Sequence, residues 1–314
     1  MSSTGSPVKV IYIGGLGRSG STLLDRMLGQ LPGFFSAGEV REIWHRGVTQ
    51  NALCGCGAPF RSCPFWTEVG AAAFGGWERV DAERALALST RVDKHRWVPF
   101  LARPGMWPAF DRRVEEYLSL LAPVFRAINE VGRTRAIVDS SKAPSTALLL
   151  RRIGELDLRV VHLVRDSRAV AYAWTKEVRR PDIVDEVIYM HRYHPFRIGV
   201  RWITRNSITE RLSRNGVPAS PPIRYETLVR EPRSVIEDIL RRAEVPFEPN
   251  DLRFIQDGHV DLSTTHTVMG NPSRLNTGLI PLSLDEEWRS AFDRRRAAVI
   301  TALTFPMLRK YGYR

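Results

Sequence analysis

Apolar positions fall in short bursts separated by glycine- and proline-rich breaks, and the first burst sets the pattern. Lys9 to Gly14 (KVIYIG) is almost continuously apolar and ends in glycine, as a parallel strand buried on both faces requires. Leu23, Leu24, Met27, Leu28 and Leu31 then recur at helical spacing until Pro32-Gly33 stops the helix. A second strand is expected at Arg135 to Val138, followed by the loop DSSKAP and a helix from about Pro144 to Ile153. A third strand, LRVVHLV at Leu158 to Val164, precedes a helix that Asp166 or Ser167 can cap. A fourth, short strand is expected to end at Arg224-Tyr225. After it Glu231-Pro232 opens a helix with Val235, Ile236, Ile239 and Leu240 on one face. Strand–helix alternation of this kind predicts an α/β fold: a P-loop-type, mostly parallel central sheet flanked by helices.

Two long stretches interrupt the alternation. Residues 66–130 carry Trp77, Trp97, Phe100, Trp107 and Phe110 between prolines, and residues 176–215 are rich in arginine, histidine and aromatics. Neither has linker composition, and neither repeats. The chain reads as a single domain, 1–314, with both stretches as helical insertions covering the side on which an acceptor enters.

Composition narrows the ligand. With 46 Lys plus Arg against 34 Asp plus Glu, the formal charge of +12 favours anions. Basic residues are scattered rather than run together, which favours a polyanionic small molecule over nucleic acid. The start, MSSTGSPVKVIYIGG, has neither the charge pattern nor the apolar length of a leader or a membrane span, and a cytoplasmic location is expected. Three cysteines cluster in LCGCGAPFRSCPFW as Cys54, Cys56 and Cys63. They can be read as metal ligands with His45 as an outside fourth, but their spacing matches none of the usual zinc patterns. The reading adopted is a tight turn with buried or paired thiols, and no metal.

The chemistry begins in the first break. Gly15, four residues, then Gly20 reproduce the glycine spacing of a phosphate loop, but Ser21 stands where a Walker loop has lysine, with Thr22 after it. Between a strand and a helix, such a loop aims backbone N–H groups and the positive helix end at one anion. Arg18, Ser19, Ser21 and Thr22 add side-chain donors, and arginine's planar fork suits phosphate oxygens.

GRSGSTLL resembles the 5′-phosphosulfate loop of the sulfotransferases that use 3′-phosphoadenosine-5′-phosphosulfate (PAPS), in the bacterial group related to carbohydrate and protein-tyrosine sulfotransferases. The resemblance extends through GEVREIW, CGCG…CPFW, VDSSKAP, VHLVRDSRAVAYAW, RYETLV, HTVMGNPSR and LDEEW, from residue 10 to about 288. It implies that PAPS is the donor and adenosine 3′,5′-bisphosphate (PAP) the product. It implies that Arg18, Ser19, Gly20, Ser21 and Thr22 cradle the 5′-phosphosulfate. Arg165 would bind the 3′-phosphate, where the family's serine eight residues later is here Ala173; Ser167 or Lys176 would have to compensate. Tyr225 would lie at the adenine end, and Asn271, Ser273 and Arg274 in a late loop closing over the 3′-phosphate.

Sulfuryl transfer to a hydroxyl needs a base. The histidine of the cytosolic branch is absent from DSSKAP, whereas the carbohydrate and tyrosine branches use a glutamate, which points to Glu39 in AGEVREI. Lys142 and Arg18 are candidates for stabilising the transferring group or the departing oxygen. The expected activity is metal-independent transfer to a small-molecule, glycan or lipid-linked hydroxyl, with no nucleic-acid partner. A second class consistent with the loop is a P-loop kinase or NTPase, which would need the missing lysine and a magnesium-holding aspartate, for which Asp139 is the candidate. A third, a non-enzymatic polyanion binder, rests on the net charge alone.

Overall fold

The computed structural model describes residues 7–183 and 187–314. The expected lack of a leader therefore lies partly outside the described residues, at positions 1–6. Strand β1 (Val8–Gly15) is followed by helix α1 (Ser21–Leu28) and a strand absent from the sequence reading, β2 (Phe34–Gly38). The first insertion holds α2 (Pro64–Phe74), α3 (Ala82–Val92), α4 (Val98–Ala102) and the long α5 (Pro108–Gly132). Then come β3 (Ala136–Lys142), α6 (Pro144–Arg151), β4 (Leu156–Val164) and α7 (Ser167–Ala173). DSSKAP, expected as a loop, instead extends β3 as far as Lys142.

Among its described residues the second insertion is helical in its later part, α8 (Pro195–Glu210); before it, Arg179 and Tyr189 bridge as a short antiparallel contact. The chain continues through β5 (Ile223–Arg224), α9 (Tyr225–Arg230) and α10 (Pro232–Arg242). Strands β6 (Ile255–Gln256), β7 (His259–Leu262) and β8 (Gly278–Pro281) follow, then α11 (Trp288–Ala291) and α12 (Arg294–Lys310).

Five strands form the central sheet in the order β2-β3-β1-β4-β5, every pairing parallel. Side-chain alternation along β1 explains its two faces. Val10 and Tyr12 pack with the insertion helices, whereas Ile11 and Ile13 pack with α1 and α10. Each fully buried side chain of this size stabilises the fold by ~1.5–3 kcal/mol. The second sheet, β6-β7-β8, is antiparallel. Its first turn, Asp257-Gly258 with Gly258 at φ 68°, is the dipeptide that favours a tight hairpin. No helix among the described residues is long and apolar enough to cross a membrane.

This strand order places the site. From β1 the chain moves outward to β2, and from β3 it crosses β1 to β4, so the order reverses at β1. In open parallel sheets a ligand crevice forms at that reversal, beyond the carboxyl ends of the strands.

Candidate active site

Each of the five strands delivers a candidate residue at its carboxyl end. β1 feeds the loop Leu16 to Gly20; β2 leads to Glu39, β3 ends at Lys142, β4 precedes Arg165, and β5 leads into Tyr225. The loop folds tightly because its glycines have no room for a side chain. A Cβ on Gly15 (φ 136°) would lie 2.3 Å from the Leu163 carbonyl oxygen, and one on Gly20 (φ 87°) 2.4 Å from the Tyr225 ring. Gly20 also precedes α1 directly, with no side-chain cap, which leaves the helix's first amides turned toward the crevice.

Glu39 and Lys142 meet: Oε1 lies 2.8 Å from Nζ, with both side chains largely buried. The ammonium also donates to the Ser140 carbonyl at 2.6 Å. Register slips between β1 and β3 at this point, Gly14 pairing with Lys142, and Lys142 adopts φ 67°. Arg18 is likewise left-handed, at φ 73°. Non-glycine residues rarely accept this conformation, and such strain concentrates at functional sites. The Arg18 guanidinium lies over Trp174 at 5.4 Å and touches the Met190 sulfur, while Nε is buried with no hydrogen-bond partner among the described residues. Burial lowers its pKa, and the Glu39 carboxylate opposes that shift.

Beneath this pair lies a carboxyl layer. Asp139 accepts from both the amide and the hydroxyl of Ser141, and Ser141 Oγ accepts from the Arg41 amide. Burial raises the Asp139 pKa to about 7 and that of Asp25, which is bonded to Ser36 and Ser140, to about 6. Arg41 is held in turn by Asp93 at 2.6 Å, and Asp93 also takes the hydroxyls of Ser145 and Thr146. Asp93 follows α3, so the first insertion props the floor under Glu39 and Lys142 as well as packing its own aromatics.

Arg165 sits beyond β4, almost wholly buried. It pairs with Asp285 (3.1 Å to Oδ2, 2.7 Å to the carbonyl), donates to the Arg18 carbonyl and lies 4.6 Å over the Tyr225 ring. Asp166 caps α7 and binds Arg168. Ser167 is fully buried, with its hydroxyl bonded to Thr304 of α12, so it has no surface to offer a ligand; the sequence reading is corrected there. Lys176 pairs with Glu287, which also accepts from Tyr172. The acidic run Asp285-Glu286-Glu287 thus neutralises two of the cations assigned to the 3′-phosphate side. A cavity of about 60 Å³ remains beside Tyr225, lined in part by Asp166, Arg224, Asp285 and Trp288.

In the late loop, Arg274 is a second correction. Arg274, 1% exposed, donates to the carbonyls of Thr267 (3.1 Å) and Leu53 (2.6 Å) and lies 3.8 Å from Asp182. Asn271 caps the turn by accepting from the Ser273 amide, its own amide reaches Thr22 Oγ1, and the Ser273 carbonyl accepts from Arg26. These residues brace α1 through Thr22 and Arg26. Arg165 keeps a separate set of partners.

The cysteines give the third correction. Cys54, Cys56 and Cys63 do converge, but the histidine that joins them is His266; His45 lies instead beside Glu42. No local spacing relates residues 63 and 266, so the sequence carries no signal for the fourth member.

The five-stranded parallel sheet flanked by helices is the fold of a bacterial sulfotransferase domain. The sulfotransferase domain from the Synechococcus PCC 7002 olefin synthase is similar over 100% of this chain and 98% of its own, with 21% identity and a TM-score of 0.55. The sulfotransferase domain from the curacin biosynthetic pathway aligns over 99% of both chains at 18% identity and a TM-score of 0.47. No protein-family model and no curated protein matches the chain.

Proposed function

We propose that this chain is a sulfotransferase that moves a sulfuryl group from PAPS to an acceptor hydroxyl. The observation that supports it most is the Glu39–Lys142 pair, set at the strand-order reversal beside a glycine loop that lacks the Walker lysine. In this reading Glu39 takes the acceptor's proton as its oxygen attacks sulfur. The bond from sulfur to the bridging oxygen breaks, and Lys142 and Arg18 meet the negative charge that develops on the leaving PAP. The protein contributes positioning and charge stabilisation rather than covalent chemistry, as in phosphoryl transfer. The amides and hydroxyls of Ser19 to Thr22 hold the 5′-phosphosulfate. Arg165 takes the 3′-phosphate once Asp285 yields it, and adenine lies near Tyr225. The acceptor is a small-molecule, glycan or lipid-linked hydroxyl.

Incubation with sulfur-labelled PAPS and a host extract, with mass spectrometry of the labelled product, tests the reading. Wild type should transfer label and Glu39→Gln should lose turnover by about 10²–10⁴-fold while keeping its affinity for PAP. Equal loss of both would remove Glu39 from the chemistry. A kinase or NTPase is disfavoured by Asp139, whose fully buried carboxyl is bonded to Ser141.

A further inference from the structure

We infer that Cys54, Cys56, Cys63 and His266 form a structural zinc site, separate from the proposed transfer chemistry and independent of it. One atom from each, three Sγ and a ring nitrogen, lies within 4.8 Å of all the others. A tetrahedral ion with Zn–S of about 2.3 Å and Zn–N of about 2.0–2.1 Å needs S···S near ~3.8 Å and S···N near ~3.6 Å. Cys56 and Cys63 sulfurs stand 3.7 Å apart, and His266 Nδ1 lies 3.8 Å from Cys54 Sγ and 3.2 Å from Cys63 Sγ. The four donors thus already approximate the corners of such a tetrahedron.

The surrounding backbone turns tightly around the cysteines. Leu53 bridges Pro59, the Cys54 amide donates to the Ala58 carbonyl, and the Gly57 amide returns to the Cys54 carbonyl, closing a tight knuckle with Gly57 at φ 85°. His266 is fixed by stacking on Phe65 (5.4 Å, 18°) and by its carbonyl, which accepts from Trp66 Nε1 at 2.7 Å. Three thiolates and one divalent ion leave a single negative charge. The buried Arg274 guanidinium, bonded to the Leu53 carbonyl next to Cys54, lies where it offsets that charge.

Four protein donors close the coordination sphere, so the ion has no open position for substrate and serves the fold. Its place shows what it ties together. The Gly55 amide donates to Thr267 and the Val268 amide to Ala37, so the His266 segment is sewn to the end of β2, two residues before Glu39. Zinc would fasten residues 54–63 to this segment across about two hundred positions of sequence. On binding, the three thiols release their protons to solvent, and His266 coordinates as neutral imidazole through Nδ1.

Metal analysis by mass spectrometry of untagged protein, purified without added metal, tests the site. The expected result is about one zinc per chain, released when an organomercurial blocks the thiols and detected with a metallochromic dye. Cobalt exchanged into the site should give thiolate-to-cobalt charge transfer and the intense visible bands of a tetrahedral ion. His266→Ala should hold zinc about tenfold or more weakly, whereas His45→Ala should keep it. Should His266→Ala fail to fold, the wild-type dye titration and cobalt spectrum decide alone. Purified protein that contains no zinc and gives no charge-transfer band with cobalt overturns the proposal. So does an intact mass two hydrogens light with a Cys56–Cys63 disulfide.

Discussion

Asp285→Asn should tighten PAP binding, because in the free protein Asp285 occupies the cation that the 3′-phosphate would take. Its carboxylate stands 3.1 Å from Arg165 Nη2. At that separation the Coulomb attraction is about 5 kcal/mol at an effective dielectric of 20 and about 1.3 kcal/mol in water. Arg165 is buried but the Asp285 side chain is 40% exposed, so solvent screens the pair toward the lower figure. A ligand displacing the carboxylate therefore gives up about 1–2 kcal/mol, and removing the charge should lower Kd by about 5–30-fold. Asparagine leaves the carbonyl bond to Arg165 intact, so the guanidinium stays where it is. Isothermal titration of wild type and variant with PAP, at low and at moderate salt, measures the difference. The gain should shrink as salt rises. Glu286→Gln is the control, since Glu286 pairs only with Arg289 among the described residues, and its affinity should not move. An Asp285→Asn affinity equal to or weaker than wild type would refute the view that an acidic segment competes for the 3′-phosphate site.

Two further outcomes follow from the geometry. Burial raises the Asp139 pKa to about 7, so its contribution to stability is complete below the unfolded value near ~3.9 and is lost as pH rises through 7. Asp139→Asn should therefore gain on wild type by about 3 kcal/mol between pH 5 and pH 8 in urea unfolding, and a pH-independent difference would contradict the buried protonated carboxyl. Gly20→Ala places a Cβ 2.4 Å from the Tyr225 ring at φ 87°, which should lower the melting temperature and weaken PAP binding by about tenfold or more. Unchanged affinity in a destabilised variant would mean that the loop does not hold the 5′-phosphate.

The central sheet was largely legible because a strand buried on both faces leaves an uninterrupted apolar run. β1 and β4 show this, and the residues just beyond them were placed correctly at the sheet edge. β2 was missed because Phe34–Gly38 is five residues long, two phenylalanines followed by Ser36, Ala37 and Gly38, which reads as the loop after a helix stop. The far end of β3 was read as a loop because Asp139, Ser140 and Ser141 are polar, yet all three are buried and bonded to one another or to Asp25. Local sequence reports polarity, not whether a distant partner satisfies it.

The same limit explains the site. Glu39 and Lys142 were singled out separately, one as base and one as cation, but their pairing at 2.8 Å depends on the parallel β2–β3 register. Arg274 carried the expected charge in the expected loop, and only packing shows that its donors are taken by Thr267, Leu53 and Asp182. Asp285 and Glu287 stood in plain view in LDEEW, but nothing local says that they reach Arg165 and Lys176. His266 is the extreme case, joining cysteines more than two hundred residues away.

The central claim is that the loop Gly15 to Thr22 and Arg165 receive a 3′-phosphorylated adenylate rather than a nucleoside triphosphate. Isothermal titration of the wild-type protein with PAP, and in parallel with ATP and magnesium, tests it most directly. Saturable one-to-one binding of PAP, at least about a hundredfold tighter than ATP, is the predicted result. Tight binding of magnesium-ATP with no heat from PAP would contradict it.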